Sequence, residues 1–214
     1  MLTLSTTPSP DGWRLAAAAE ELTLPYLLRQ RTEPTRSTRE AGVSSFGRVS
    51  REPVLLDHAN GDFPVFATNA ALLYLGERHR RLLDREPRAR ACAIQWLCWE
   101  STMLGPLHGS GADHYPSNAR SLVPPAALTR HLELLDRRLA GAPFLAGTFG
   151  IADLAVWSWV QEYARRGVSL SETPNVEAWC DHISRRPAVR RALARFAPAP
   201  LFDLDPLATT TAAE

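Results

Sequence analysis

The sequence predicts a two-part fold: a small α/β unit with a mixed sheet, followed by an all-helical unit. Three observations lead there. Short apolar runs of strand length alternate with helical segments over the first third of the chain. From residue 88 onward the apolar positions recur only at helical spacing. Between the two regimes, "RLLDREPRARA" is charged and carries Pro87 at a helix start. The expected units are therefore 1–82 and 88–197, with a partly disordered tail at 198–214.

The elements follow in order. "MLTLST" reads as a strand, and "SPDGWRLAAAAEEL" as a helix with a clear start. Ser9 suits the N-cap, Pro10 the first helical position, and Asp11 the positive end of the helix dipole. "LPYLLRQR" returns to strand, and "EPTRSTREAGVSSFGRVSRE" is a punctuated loop holding a weak helix. "PVLLD" and "FPVF" are strands joined at residues 58–62, where "NG" signals a hairpin turn. A helix over 69–78 completes a β-α-β-α-β-β-α order. Its first free N–H groups, at Ala67 and Thr68, form an anion site in principle. Helices then follow over about 88–106, 124–140, 151–166, 175–185 and 187–196.

Composition excludes several classes. A net charge of +1 gives no reason to expect nucleic acid or an anionic membrane as partner. All 24 basic residues are arginine, a codon signature of a GC-rich bacterial genome, and the absence of lysine excludes Schiff-base and P-loop chemistry. Cys92, Cys98 and Cys180 form no CxxC and no metal-like set, so reduced thiols in a cytoplasmic protein are expected, with no bound metal. No signal segment and no membrane-length apolar run is apparent.

Several stretches carry a family resemblance. "TPSPDGWRLAAAAEELTLPY", "REPVLLD", "VFATNAALLYLGER" and "LAGTFGIADLAVWSWV" resemble segments of the cytosolic glutathione transferases. "QWLCWESTMLGPLHGSGADHY" is similar to the helix and loop of the bacterial nu class and of its relatives akin to the yeast nitrogen-regulating prion protein. The resemblance spans about 1–196 and implies a thioredoxin-like first domain, glutathione as co-substrate, and a homodimer. It also implies a small electrophile or a disulfide as second substrate.

The resemblance assigns roles residue by residue. Ser9, with Thr7 as second candidate, would donate a hydrogen bond to the glutathione sulfur; Ser9 as a mere cap is the plainer reading. Asp11 stands where asparagine is usual. As a carboxylate it can accept but not donate, which leaves a helix-start acid or a general acid/base. Pro53 is the expected cis-proline, Glu52 would pair with the ligand backbone, and Arg51 would offset the charge of Glu52. Thr68 keeps the hydroxyl that holds the γ-glutamyl carboxylate, whereas Ala67 replaces the acid that faces its ammonium group. Asp62 and Asp113 are candidate replacements for that charge. Gly150 replaces the usual hydroxyl residue that caps the core helix, three residues before Asp153.

Trp13, Trp99, Leu104, His108 and His114 would line the second-substrate pocket. The basic run "RRPAVRRALAR" reads as a solvated helix face, and Trp157, Trp159 and Trp179 as packing. Because Asp11, Glu52 and Ala67 all depart along the ligand track, two alternatives stand beside thiol transfer. One is a glutathione-independent isomerisation, cyclisation or elimination in specialised metabolism. The other is a non-catalytic binding protein of the same fold.

Overall fold

A computed structural model describes residues 1–30, 54–105, 125–165 and 167–196. The expected loop helix, the predicted cis-proline Pro53 with Arg51 and Glu52, the pocket histidines His108 and His114, Asp113 and the tail lie outside the described residues. The first unit holds β1 (Leu2–Thr6), α1 (Pro10–Glu21), β2 (Tyr26–Gln30), β3 (Val54–Asp57), β4 (Phe63–Phe66) and α2 (Thr68–His79). The second holds α3 (Pro87–Trp99), α4 (Pro125–Leu139), α5 (Ile151–Arg165), α6 (Pro174–Ser184) and α7 (Pro187–Ala194).

The sheet is mixed, in the order β2-β1-β3-β4. β1 runs parallel to β2 and antiparallel to β3, and β3 pairs antiparallel with β4. The "NG" signal lies where expected: Gly61 and Asp62 turn left-handed, at φ 66° and 57°, between β3 and β4. β1 is nearly all buried, as a central strand with cover on both faces should be.

Helix α1 determines how the halves meet. Ala16, Ala17, Ala18 and Ala19 are all fully buried, because α1 packs on the sheet and α2 on one side and on α5 and α7 on the other. Alanine allows that double approach with no loss of helix propensity. Gly12 serves the same closeness, since a Cβ there would lie 2.3 Å from the Thr7 carbonyl oxygen. Trp157, Trp159 and Trp179 are buried among the helices, as the sequence suggests.

Three features differ from expectation. The helix predicted over 88–106 breaks regular winding after Trp99 and continues as a π-helical turn, Glu100–Leu104, closed by the Gly105 N–H donating to the Glu100 carbonyl at 3.0 Å. The basic run is not simply a solvated face. Arg186 grips Glu21 with two bonds, 2.6 and 2.9 Å, and Arg191 reaches Glu20 at 2.8 Å, so two arginines of the run clamp its helix onto α1. The sequence pattern misses this because the acids lie 165 and 171 residues away. Gly150 is also more than a tolerated cap. It abuts the Leu82 carbonyl, whose oxygen would sit 2.4 Å from any Cβ added there. The capping bond itself is present, with the Gly150 N–H donating to Asp153 Oδ2 at 3.0 Å.

Candidate active site at the starts of helices 1 and 2

Ser9 is the N-cap of α1, with extended backbone and a side chain that accepts from the Gly12 N–H at 3.4 Å. Thr7 lies beside it, its hydroxyl donating to Ser9 Oγ at 3.1 Å. The Ser9 hydroxyl in turn donates to the Thr7 carbonyl at 3.4 Å. Bonds of that length are weak and easily redirected. Thr7 thus polarises Ser9, and the Ser9 proton is available to a stronger acceptor such as a sulfur anion.

The start of α2 lies opposite. Ala67 occupies its N-cap with φ 65° and ψ 121° and makes no side-chain cap bond. A residue with a Cβ is strained there, at a cost of about 1–3 kcal/mol. Thr68 is buried, and its hydroxyl donates to Asp11 Oδ1 at 2.8 Å. The Thr68 hydroxyl proton is therefore directed at a carboxylate of the chain. The N–H groups of the first turn remain as the anion donors of this terminus.

Asp11 is not an idle helix-start acid. Its Oδ1 accepts from Thr68 and from Arg14 Nη2. Arg14 is buried, and its Nη1 donates to Glu100 Oε1 at 2.8 Å and to the Ala155 carbonyl at 3.2 Å. Burial works against the Arg14 charge, but Asp11 and Glu100 more than offset it, and its pKa lies above the usual value. Glu100 is buried as well. Its Oε1 also accepts from Trp159 Nε1, and its Oε2 accepts from Asn69 Nδ2 at 2.7 Å. The result is a chain of charge-assisted bonds from Thr68 through Asp11, Arg14 and Glu100 to Asn69.

The expected pocket residues divide. Trp13 is 5% exposed in the interhelical core, with the Arg165 guanidinium 5.0 Å over its ring, and Leu104 is fully buried. Both therefore pack rather than wall an open cleft, because α1 and the π turn face the second-unit helices. Trp99 is half-buried, edge-on to Trp96 at 5.3 Å and to His131 at 5.6 Å. Asp62, in the turn between β3 and β4, pairs with His58 Nδ1 at 2.5 Å. Sequence reasoning missed Arg14, Asn69 and Glu100. The available signal was charge in apolar company: Arg14 between Trp13 and Leu15, and Glu100 directly after "WLCW".

Fold and site together define a thioredoxin-like unit that faces an all-helical partner across two helix starts. Residues 125–182 match the family described as the glutathione S-transferase C-terminal domain. Over 207 residues the chain is 30% identical to the disulfide-bond oxidoreductase YfcG of Escherichia coli K12, covering 91% of this chain and 95% of that one. A glutathione transferase from Pseudomonas putida, solved with one glutathione disulfide per subunit, superposes with a TM-score of 0.71 at 27% identity, covering 90% of each chain. The nitrogen regulation fragment of the yeast prion protein Ure2p superposes at 0.74 with 23% identity, over 90% of this chain and 96% of that one, and so shares the fold. The chain belongs to the glutathione transferase family.

Proposed function

We propose that the chain is a glutathione-dependent enzyme that transfers or exchanges the glutathione thiol with a disulfide or a small electrophile. One observation carries this reading: the Ser9 hydroxyl, with Thr7 donating to it, caps α1 in a thioredoxin-like unit that has no cysteine. The three cysteines, 92, 98 and 180, all belong to the helical unit. Thiol chemistry at this helix start needs a sulfur brought in by the ligand, and the relatives supply its chemical class.

Ordinary thiols have a pKa of about 8.5, and a helix N-terminus with a hydroxyl donor lowers it. Ser9 supplies that donor by turning its proton from the Thr7 carbonyl to sulfur. In disulfide reduction the glutathione thiolate attacks one sulfur of RS–SR′, forming the mixed disulfide GS–SR and releasing R′S⁻, which takes up a proton. A second glutathione thiolate attacks the glutathione sulfur of that mixed disulfide. This yields glutathione disulfide and RS⁻, so two glutathiones supply the two electrons. With an electrophile the same thiolate forms a C–S bond.

The N–H groups at Thr68 and beyond would hold the γ-glutamyl carboxylate, while Arg51, Glu52 and Pro53 would line the tripeptide backbone. Trp99, His108 and His114 would face the second substrate. A two-domain division at 82–88, a homodimer and a cytoplasmic location belong to the same proposal. Asp11 as acid/base for glutathione-independent chemistry is the weaker reading, since Oδ1 already accepts two bonds.

Calorimetric titration of glutathione, with Ala67→Glu alongside, tests the proposal. Binding by the natural protein is expected, tightened about tenfold or more in Ala67→Glu by the restored charge-assisted bond. Failure of both proteins to bind would overturn it.

A further inference from the structure

Glu100 is a buried carboxylate for which the proposed chemistry has no use. It begins the π turn and touches three other elements at once: α1 through Arg14, α2 through Asn69 and α5 through Trp159. Turns of this type occur often where a helix is bent to place a functional group. Two further contacts close a ring. Arg14 holds Asp11, and Asp11 holds Thr68, the residue before Asn69. The ring runs Glu100, Arg14, Asp11, Thr68, Asn69 and back, entirely through hydrogen bonds and one peptide link.

We propose that Glu100 is a positioning residue for the thiol-ligand site, fixing the start of α2 against the start of α1 through Arg14 and Asn69. The inference rests on the function proposed above. Arg14 has two acidic claimants and shares its arms between them, one to Asp11 and one to Glu100. Without Glu100 the Nη1 arm is held by the Ala155 carbonyl, and Asp11 is the carboxylate left to the guanidinium, which draws harder on the oxygen that Thr68 shares. Asn69 would lose its charged acceptor in the same step and keep, among the described residues, the Leu97 carbonyl and Ser101 Oγ. The first turn of α2 would thus lose the Glu100 tether and have the Asp11 tether weakened, whereas Ser9 and Thr7, outside the ring, would keep theirs.

The role therefore predicts a split between binding and chemistry. In reduction of 2-hydroxyethyl disulfide by glutathione, Glu100→Ala should raise the glutathione KM about tenfold or more, the factor expected for a lost charge-assisted bond. It should leave kcat within about twofold and the pH profile unmoved, because the sulfur donor is untouched. In a Thr68→Ala background the same substitution should raise KM little further, since the two residues act through one ring. Glu100→Gln keeps a neutral acceptor for Arg14 and Trp159 but turns an amide NH2 towards Asn69, so it should raise KM by less than Glu100→Ala, and it keeps the test open if the alanine variant does not fold. An unchanged KM in both variants, an undiminished effect in the Thr68→Ala background, or a loss carried by kcat and the pH profile would overturn the positioning role alone. A natural protein that turns over no disulfide with glutathione would overturn the function on which it rests.

Discussion

Thr68 and Asp11, 57 residues apart in the chain, share a 2.8 Å hydrogen bond that joins the start of α2 to the start of α1. The two helix starts bearing the candidate site are therefore held by a hydroxyl and a carboxylate, not by backbone alone. That single contact changes the meaning of both residues. Asp11 is anchored with a guanidinium beside it that it shares with Glu100, so its carboxylate is partly offset locally instead of standing bare beside a bound thiolate. Thr68 orients its terminus, and the backbone N–H groups are left to meet the ligand.

Ala67→Gly should stabilise the protein. The positive φ of 65° costs a residue bearing a Cβ about 1–3 kcal/mol, and the extra freedom of glycine in the unfolded chain returns about 0.5–1 of that. A net gain of about 1 kcal/mol is expected in urea unfolding at unchanged slope.

Gly150→Ala should destabilise it by about 1–3 kcal/mol, the usual range for forced overpacking. The added methyl would sit 2.4 Å from the Leu82 oxygen, in a place where Ile151 N–H also donates to that oxygen at 2.8 Å. A lowered denaturation midpoint checks this, with Gly141→Ala as control, since a Cβ there meets nothing within 4 Å.

Asp153 should make stability fall as pH rises. Burial pushes its carboxyl up to about 6, against the opposing pull of hydrogen bonds from Leu145, Trp179 and Gly150. Because the folded value exceeds the unfolded one near 3.8, the native state holds the extra proton between those values. This group therefore favours the native state more as pH drops from about 6 towards 4, by on the order of 3 kcal/mol in all. Unfolding free energies of the natural protein and Asp153→Asn at pH 4.5 and 7 should differ in that sense, with the asparagine variant lacking this component.

Arg186→Ala should loosen α7 from α1. The arginine binds Glu21 through two bonds and covers the Phe149 ring at 3.7 Å, so the substitution removes packing as well as charge. A pair this sheltered should cost about 1–3 kcal/mol, more than a fully exposed ion pair. Thermal unfolding in low and high salt is the measurement. A strong salt dependence of the loss would argue that the pair acts as a surface charge only.

The strands and helices were legible because the sheet and the amphipathic helices impose different spacings on apolar residues, and because Pro10, Pro87 and the "NG" turn mark boundaries directly. Ser9 as a cap was legible for the same local reason. The charge ring was not, because Arg14 reaches Glu100 and Ala155 across most of the chain, and no short window contains both ends. The backbone strain at Ala67 was equally hidden. Alanine at an N-cap signals a missing side-chain bond but no strain, and only the turn out of β4 demands a positive φ of it. Trp13 misled in another way: an aromatic beside a helix start suits a cleft wall and a buried core alike, and its 5% exposure places it in the core.

The four buried alanines of α1 bear on how this molecule comes apart. A helix with no side facing water cannot be left behind when its neighbours depart. Residues 1–82 expressed alone would bare an apolar strip and leave the Arg14 Nη1 group without the Glu100 carboxylate and the Ala155 carbonyl that it bonds in the whole chain. The two halves, although different in architecture, should melt as one cooperative body with a single transition by every spectroscopic probe.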